Sequence, residues 1–367
     1  MRPSSLLLAV LALLLAPWGA GAAPKKAVLL LSGDNVGEIA PCGCRHNPSG
    51  GLARRKTVIS QEREKGTPVL VLDAGNALFK SPVSSGDPGE KVRAELLLEQ
   101  MDAMGTAAMA VGANDLSLGV ELLRKKAQGT KMKLLSANLT SKEGKPLFPA
   151  STVVSVGGLK VGVIGASPEG DLQAAQGKPV LPAVRAEAKL LREKDKVDVV
   201  VVLAAVPYAV SRQLAQQGEG LDFVVQSHDV RGPGIAQREG LATLIPPGGR
   251  GRQLARLELS VDGAGPFVDA SIVQRDQESL KMIEANLTRT RERLAATKDE
   301  TARKALEETI ATFETRRTSL QQSVKDGATG ARRTHLLSYK QLGTDVPSDP
   351  AVQKLVERIE PPGSAHP

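Results

Sequence analysis

Five short polar segments in this chain carry residue types that hold metal ions, move protons or exchange electrons. Ser32-Gly33-Asp34-Asn35-Val36-Gly37, Asp73-Ala74-Gly75-Asn76, Gly112-Ala113-Asn114-Asp115 and Gln226-Ser227-His228-Asp229 each follow a short aliphatic run. Taken singly, Asn, Asp and Gly in such places are turn residues. Four in series can converge on one cleft, because open α/β sheets bind ligands beyond the carboxyl ends of their strands. The fifth segment, Pro41-Cys42-Gly43-Cys44-Arg45-His46, holds both cysteines of the chain. Its Cys-x-Cys-x-His spacing is one residue short of a haem c attachment motif. Three readings stay open: a passive Cys42–Cys44 disulfide tying down a loop, a strained redox-labile disulfide, and a soft-metal site of Cys42, Cys44 and His46, in that order.

The elements that would position these residues follow from the apolar pattern. Aliphatic runs predict strands over 27–31, 68–72, 107–111, 133–136, 152–156, 160–164, 198–204, 222–225, 241–245 and 254–261. The early runs are nearly continuous, as strands buried on both faces require. Between them, helices are predicted over 52–65, 90–104, 118–127, 183–194 and 208–217. Strand–helix alternation gives an α/β domain with a mostly parallel central sheet. Val156-Gly157-Gly158-Leu159 reads as a hairpin turn. From 276 to 326 proline disappears, and apolar residues recur at intervals of three, four and seven. That segment is a helical hairpin turning near 297–300, or one long helix. Residues 327–367 read as a polar, Pro-rich tail that leaves His335 and His366 solvated.

Composition narrows the function classes. The 367 residues suit one large or two modest domains, and 41% hydrophobic with 24% charged excludes a wholly disordered chain. Two cysteines exclude a disulfide-stapled scaffold. The net charge of +8 comes from 48 Lys and Arg set against 40 Asp and Glu spread along the chain. Aromatics are scarce: 5 Phe, 2 Tyr and 1 Trp. Neither a basic nucleic-acid footprint nor a base-stacking platform is present, so nucleic acid is not an expected partner. Arg2, the apolar run 6–16 and Ala20-Gly21-Ala22 read as a cleaved signal peptide over 1–22. The apolar run is too short to span a bilayer of about 30 Å. The mature protein is expected to be secreted or periplasmic, in an oxidising compartment, with no transmembrane segment after signal removal.

The order of the polar segments resembles the calcineurin-like metallophosphoesterases, in particular their exported 5′-nucleotidase branch. The resemblance covers roughly 27–260. It is carried by 32–37, Gly50-Gly51-Leu52-Ala53-Arg54-Arg55, 72–79, 111–119, 203–206, 225–230 and Pro247-Gly248-Gly249-Arg250-Gly251-Arg252. It implies a metallophosphoesterase-like β-sandwich flanked by helices over 23–275, followed by the C-terminal helical hairpin or long helix. It also implies two divalent ions about 4 Å apart that clamp the attacking and leaving oxygens.

Mapped residue by residue, the ligand positions depart from that pattern. The first Asp is kept as Asp34, but its His partner is Val36. The bridging Asp is Asn76, the Asn ligand falls on Ala113, and the His that protonates the leaving group falls on Asn114; a one-residue shift restores an Asn ligand at Asn114 but still leaves no His. A further His ligand falls on Ala205, and of the last His pair His228 is kept while Val230 replaces the other. The residual metal-site positions are therefore Asp34, Asn76, Asn114 and His228. The resulting expectation is no firmly held cofactor, a divalent metal at low occupancy at most, and impaired catalysis in a protein that binds or scaffolds. The alternatives are an active metal-dependent phosphoesterase with a rebuilt site, or a redox or soft-metal protein using Cys42 and Cys44. The cysteine element followed by Gly-Gly-Leu-Ala-Arg-Arg resembles a bacterial subgroup associated with respiratory multihaem cytochromes. That implies periplasmic or respiratory-chain partners engaged through the helical segment. Arg54 and Arg55 read as surface arginines at a helix start.

Overall fold

The computed structural model describes residues 23–42, 47–173, 175–227, 237–328 and 331–361. The expected signal peptide lies outside them. In chain order the strands are β1 (Lys25–Ser32), β2 (Val69–Asp73), β3 (Thr106–Ala110), β4 (Lys133–Leu135), β5 (Leu139–Thr140), β6 (Ser151–Val156), β7 (Leu159–Ala166) and β8 (Gly170–Leu172). They continue as β9 (Ala175–Gly177), β10 (Val199–Ala204), β11 (Phe223–Gln226), β12 (Gln237–Glu239), β13 (Ala242–Ile245), β14 (Gln253–Val261), β15 (Val268–Asp269) and β16 (Arg333–Gln341). The helices are α1 (Leu52–Glu64), α2 (Pro88–Ala103), α3 (Val120–Ala127), α4 (Val180–Glu193), α5 (Tyr208–Gln217), α6 (Ala270–Ala296), α7 (Glu300–Ala328) and α8 (Pro350–Ile359).

Two mixed sheets stack face to face. One runs β15-β16-β14-β1-β2-β3-β4, the other β12-β13-β11-β10-β7-β6, and β5-β9-β8 form a small third sheet. The parallel runs β1-β2-β3-β4 and β7-β10-β11-β13 form the two centres of the β-sandwich that the resemblance implies. The continuous aliphatic runs are explained by burial on both faces. In β1, Ala27, Leu29 and Leu31 point into the layer between the sheets, while Val28 and Leu30 point outward to the helices. In β10, Val199, Val201 and Leu203 face inward, and Val200, Val202 and Ala204 pack under α4 and α5. Each fully buried large aliphatic side chain contributes about 1.5–3 kcal/mol, so these strands anchor the loops that follow them. The Gly-Gly hairpin forms between β6 and β7, with Gly157 and Gly158 at φ 56° and 76°.

The C-terminal third departs from the expectation in two ways. The helical segment is an antiparallel hairpin that begins at Ala270, six residues before the predicted start. Asp276 accepts from Ser323, Arg291 pairs with Glu314, and Arg303 caps the carbonyls of Leu294 and Thr297 at the turn. Residues 331–361, expected in a polar tail, form a strand and a helix instead. After the hairpin the chain returns as β16, which pairs antiparallel with β14 from Gln253↔Gln341 to Val261↔Arg333. Asp349 then caps α8 through the amides of Ala351 and Val352, and Val352 and Val356 join the core against α1 and α2. His335, expected in solvent, is 3% exposed on β16. The hairpin is thus inserted between two strands of one sheet. Among the described residues, no helix is long and apolar enough to cross a membrane.

Candidate functional site

The structure brings the polar strand exits together at the carboxyl ends of the two sheets: Ser227 Oγ accepts from Asp34 N (3.2 Å) and donates to Gly75 O, while His228 and Asp229 of the same exit lie outside the described residues. The β1 and β2 exits extend their parallel ladder. Asp34 N donates to Gly75 O (2.8 Å), Val36 N to Asn76 O (3.0 Å) and Gly37 N to Ala77 O (2.9 Å). Asp34 and Asn76 both sit at φ 52°, the left-handed region that short polar side chains tolerate. Between them Gly75, at φ 88°, leaves a Cβ no room, because that atom would lie 2.4 Å from Ala110 O. The fixed geometry therefore comes from the backbone.

Asp115 ties the second and third exits together. Its Oδ1 accepts the amides of Ala77 and Leu78, and its Oδ2 those of Asn76 and Gly112, at 2.8–3.0 Å. All four lone-pair directions of the buried carboxylate are filled by backbone donors. Burial pushes its pKa up to about 7, the amide bonds pull down, and the nearby Asp73 adds to the rise. Asp73, fully buried, accepts from Ser32 Oγ (2.6 Å) and Gly75 N (2.8 Å). Its carboxyl is also raised by burial, with the Arg55 guanidinium opposing.

Arg55 is not a surface arginine: it is 3% exposed and donates through Nη2 to Asn35 Oδ1 at 2.8 Å. Arg54 is partly buried, and bonds the carbonyls of Pro48 and Leu342. Sequence reasoning missed Asp115 and Arg55 as organising residues. The signal for Arg55 was present, since Leu52, Arg55, Ile59 and Glu62 lie on one helical stripe and all four are buried.

The expected metal positions can now be tested against their surroundings. Asn76 Oδ1 accepts from Asn114 N (3.2 Å) and lies so close to Gly112 that a Cβ there would be 2.1 Å away. Asn114 Nδ2 points to Lys80 O at 3.4 Å. Both amides are committed to neighbouring loops. Val36, Ala113 and Ala205 offer hydrocarbon where two ions need nitrogen or oxygen. Asp34 is the one carboxylate at the mapped positions, half-buried beside Gly249, whose missing side chain leaves it space. Among the described residues no cluster of three or more His, Cys, Asp or Glu side chains forms a metal-binding group. This donor set does not fit a two-ion centre.

Beside these loops lies a cleft of about 340 Å³ lined by Val36, Cys42, Phe79, Lys80, Arg93 and Arg250 among others. Two of its rim arginines are paired, Arg250 with Glu38 and Arg93 with Asp87, both at 2.6 Å. Cys42 stands at this cleft, and its sulfur accepts from Ser49 N at 3.3 Å. Gly43, Cys44 and His46 lie outside the described residues.

No family model matches the chain. It is 27% identical over 190 residues to "Protein 5NUC" of Lutzomyia longipalpis, covering 49% of this chain and 32% of that protein. It is 29% identical over 197 residues to a 5′-nucleotidase of Diplobatis ommata, covering 50% and 33%. The chain spans about a third of the length of these curated relatives. Among solved structures, the calcineurin-like phosphoesterase YfkN of Bacillus subtilis superposes with a TM-score of 0.54 at 17% identity, covering 66% of this chain and 86% of that one.

Proposed function

We propose that this chain, which belongs to the 5′-nucleotidase-like branch of the metallophosphoesterase superfamily, is an exported binding protein that does not hydrolyse through a paired-ion centre. The observation that carries this reading is the Asn76–Asn114 contact. Two adjacent cations need a bridging carboxylate between them, because an amide supplies no charge to offset their repulsion. Here the bridging position is an amide already held by a backbone N–H. The neighbouring Asp115 carboxylate is filled by four amides and has no acceptor direction left for a ligand. Export is supported by the N-terminal 1–22 sequence. A binding role is supported by the helical arm, whose outward faces are exposed along both α6 and α7.

Metal titration tests this reading. Exported protein, purified without chelator, is expected to bind fewer than two equivalents of Mn²⁺ or Zn²⁺ by calorimetry. Its unfolding midpoint should move by less than about 1 °C at millimolar metal, and hydrolysis of a nitrophenyl phosphodiester should not respond to metal. Two bound equivalents with metal-dependent turnover would restore the hydrolase.

A second reading rests on Cys42 at the cleft wall, with Ser49 N–H directed at its sulfur. If Cys42 works as a redox pair with Cys44, the denatured, unreduced protein contains no free thiol, and mild reductant releases two. Two thiols in the untreated exported protein would end that reading.

A further inference from the structure

The helical arm enters the sheet through β15, a strand of two residues that pairs with β16 at Thr334 and His335. The last of these residues, Asp269, also caps the arm. Its Oδ1 accepts Ser271 N (2.8 Å) and Ser271 Oγ (2.6 Å), and its Oδ2 accepts Arg275 (3.1 Å). Directly across the ladder from Asp269 stands His335. This imidazole is buried, and neither Nδ1 nor Nε2 has a hydrogen-bond partner among the described residues. It lies edge-on to Phe223 and Phe267, with ring centroids 5.4 and 6.4 Å away. Phe267, just before β15, is wedged between Phe223 (4.8 Å) and the Arg333 guanidinium (4.1 Å). A phenylalanine at 335 would fill the same apolar space without burying unpaired polar atoms.

From this geometry we infer that His335 is a proton-sensitive latch, which holds the root of the helical arm on the sheet when neutral and releases it when protonated. This goes beyond the binding role proposed above and does not depend on it. The imidazolium carries two N–H donors and a charge into a site whose facing carboxylate, Asp269, is already taken by Ser271 and Arg275. The groups that face it are few. Asp269 on β15 attracts the charge but is already engaged by Ser271 and Arg275. Arg238 on β12 repels it. Arg333, two residues along β16, is a second cation, bonded to Asp198 O, Gly265 O and Asp222. The facing residues of β14 and β11, Leu259 and Phe223, are apolar. Burial holds the imidazole pKa below its ordinary value, with Asp269 opposing. Protons therefore favour any state in which β15 lifts and His335 meets water. The sign follows: the latch is fully closed above the unfolded-state pKa and weakens as pH falls below it.

The test is hydrogen exchange by mass spectrometry on the full mature chain between pH 7.5 and 5.0, corrected for intrinsic exchange. Protection over 266–275 and 333–338 is expected to fall by about tenfold or more. Protection over 27–31 and 199–204, in the sandwich centre, is expected to hold, and His335→Phe to abolish the fall. Wild-type protection that is independent of pH overturns the latch. An equal fall in both regions, which is global acid unfolding, overturns it too, as does an undiminished fall in His335→Phe. Should that variant not fold, imidazole NMR of the four-histidine wild type decides. A histidine that stays neutral until the arm root opens supports the latch, and four that titrate at the ordinary value overturn it.

Discussion

Replacing Asp115 by Asn lowers the unfolding midpoint by roughly 10 °C, a loss on the order of 4 kcal/mol. The substitution keeps size and shape and removes a single acceptor oxygen. Whichever way the new amide turns, its NH2 group faces two backbone N–H donors, either Ala77 and Leu78 or Asn76 and Gly112. Two buried donors lose their acceptor, and a third polar group is forced against them. The loops so loosened are the ones that hold Asn76 and Asn114 in register, so local order at the cleft goes with stability. The pH profile supplies a second readout. Burial pushes the wild-type carboxyl up to about 7 in the fold, against the pull of its amide bonds. A raised carboxyl contributes stability that is full below the unfolded-state pKa and lost as pH rises through about 7. The Asn variant cannot show that loss. Circular dichroism melts at pH 5, 6, 7 and 8 measure both effects. A variant within about 1 kcal/mol of wild type at every pH would mean that the four amides find other acceptors.

The same contrast between backbone and side chain explains what could be read from the residues. Strands such as β1 and β10 were legible because both faces are aliphatic, and a continuous run needs no knowledge of its partner. The Gly157-Gly158 turn was legible because positive φ at two successive residues is itself a local requirement. β16 was not legible. Its inward positions are Arg333, His335, Leu337 and Tyr339, an alternation whose first two members look like solvent-facing residues. They are inward because Asp222, the carbonyls of Gly265 and Asp198, and Phe267 await them from elements more than sixty residues away. α8 carried a readable start at Asp349-Pro350 and an apolar stripe at Val352, Leu355, Val356 and Ile359. It was masked by the prolines on either side.

At the site, Val36, Ala113 and Ala205 could be read as hydrocarbon from residue types alone. The role of Asp115 could not. Asp115 looked like one more turn residue, although its partners are four amides on two different loops. Carboxylate-to-amide bonds from Asp115 hold two strand exits together beside the cleft. One cation does remain inside this arrangement, and it belongs to the chain.

Arg55→Met removes that cation, and the expected cost at neutral pH is about 3–5 kcal/mol. The methionine fills most of the apolar stem volume, so the loss is electrostatic in the main. Asn35 Oδ1 loses its donor. Asp73 loses the positive charge that opposes its desolvation and keeps only Ser32 Oγ and Gly75 N. Its pKa, already raised by burial, therefore rises further. The sign of the pH dependence follows from that direction. A carboxyl raised in the fold is tolerated when protonated and penalised when ionised, so the variant's deficit is smallest in acid and grows as pH increases. Urea unfolding followed by circular dichroism at pH 5 and pH 8 reads the difference directly, with equal slopes required so that the midpoints compare stability alone. A deficit that is the same at both pH values would show that Arg55 acts by packing. A deficit that shrinks at pH 5, and shrinks no further when Asp73 is also changed to Asn, would show that the buried guanidinium serves this carboxylate.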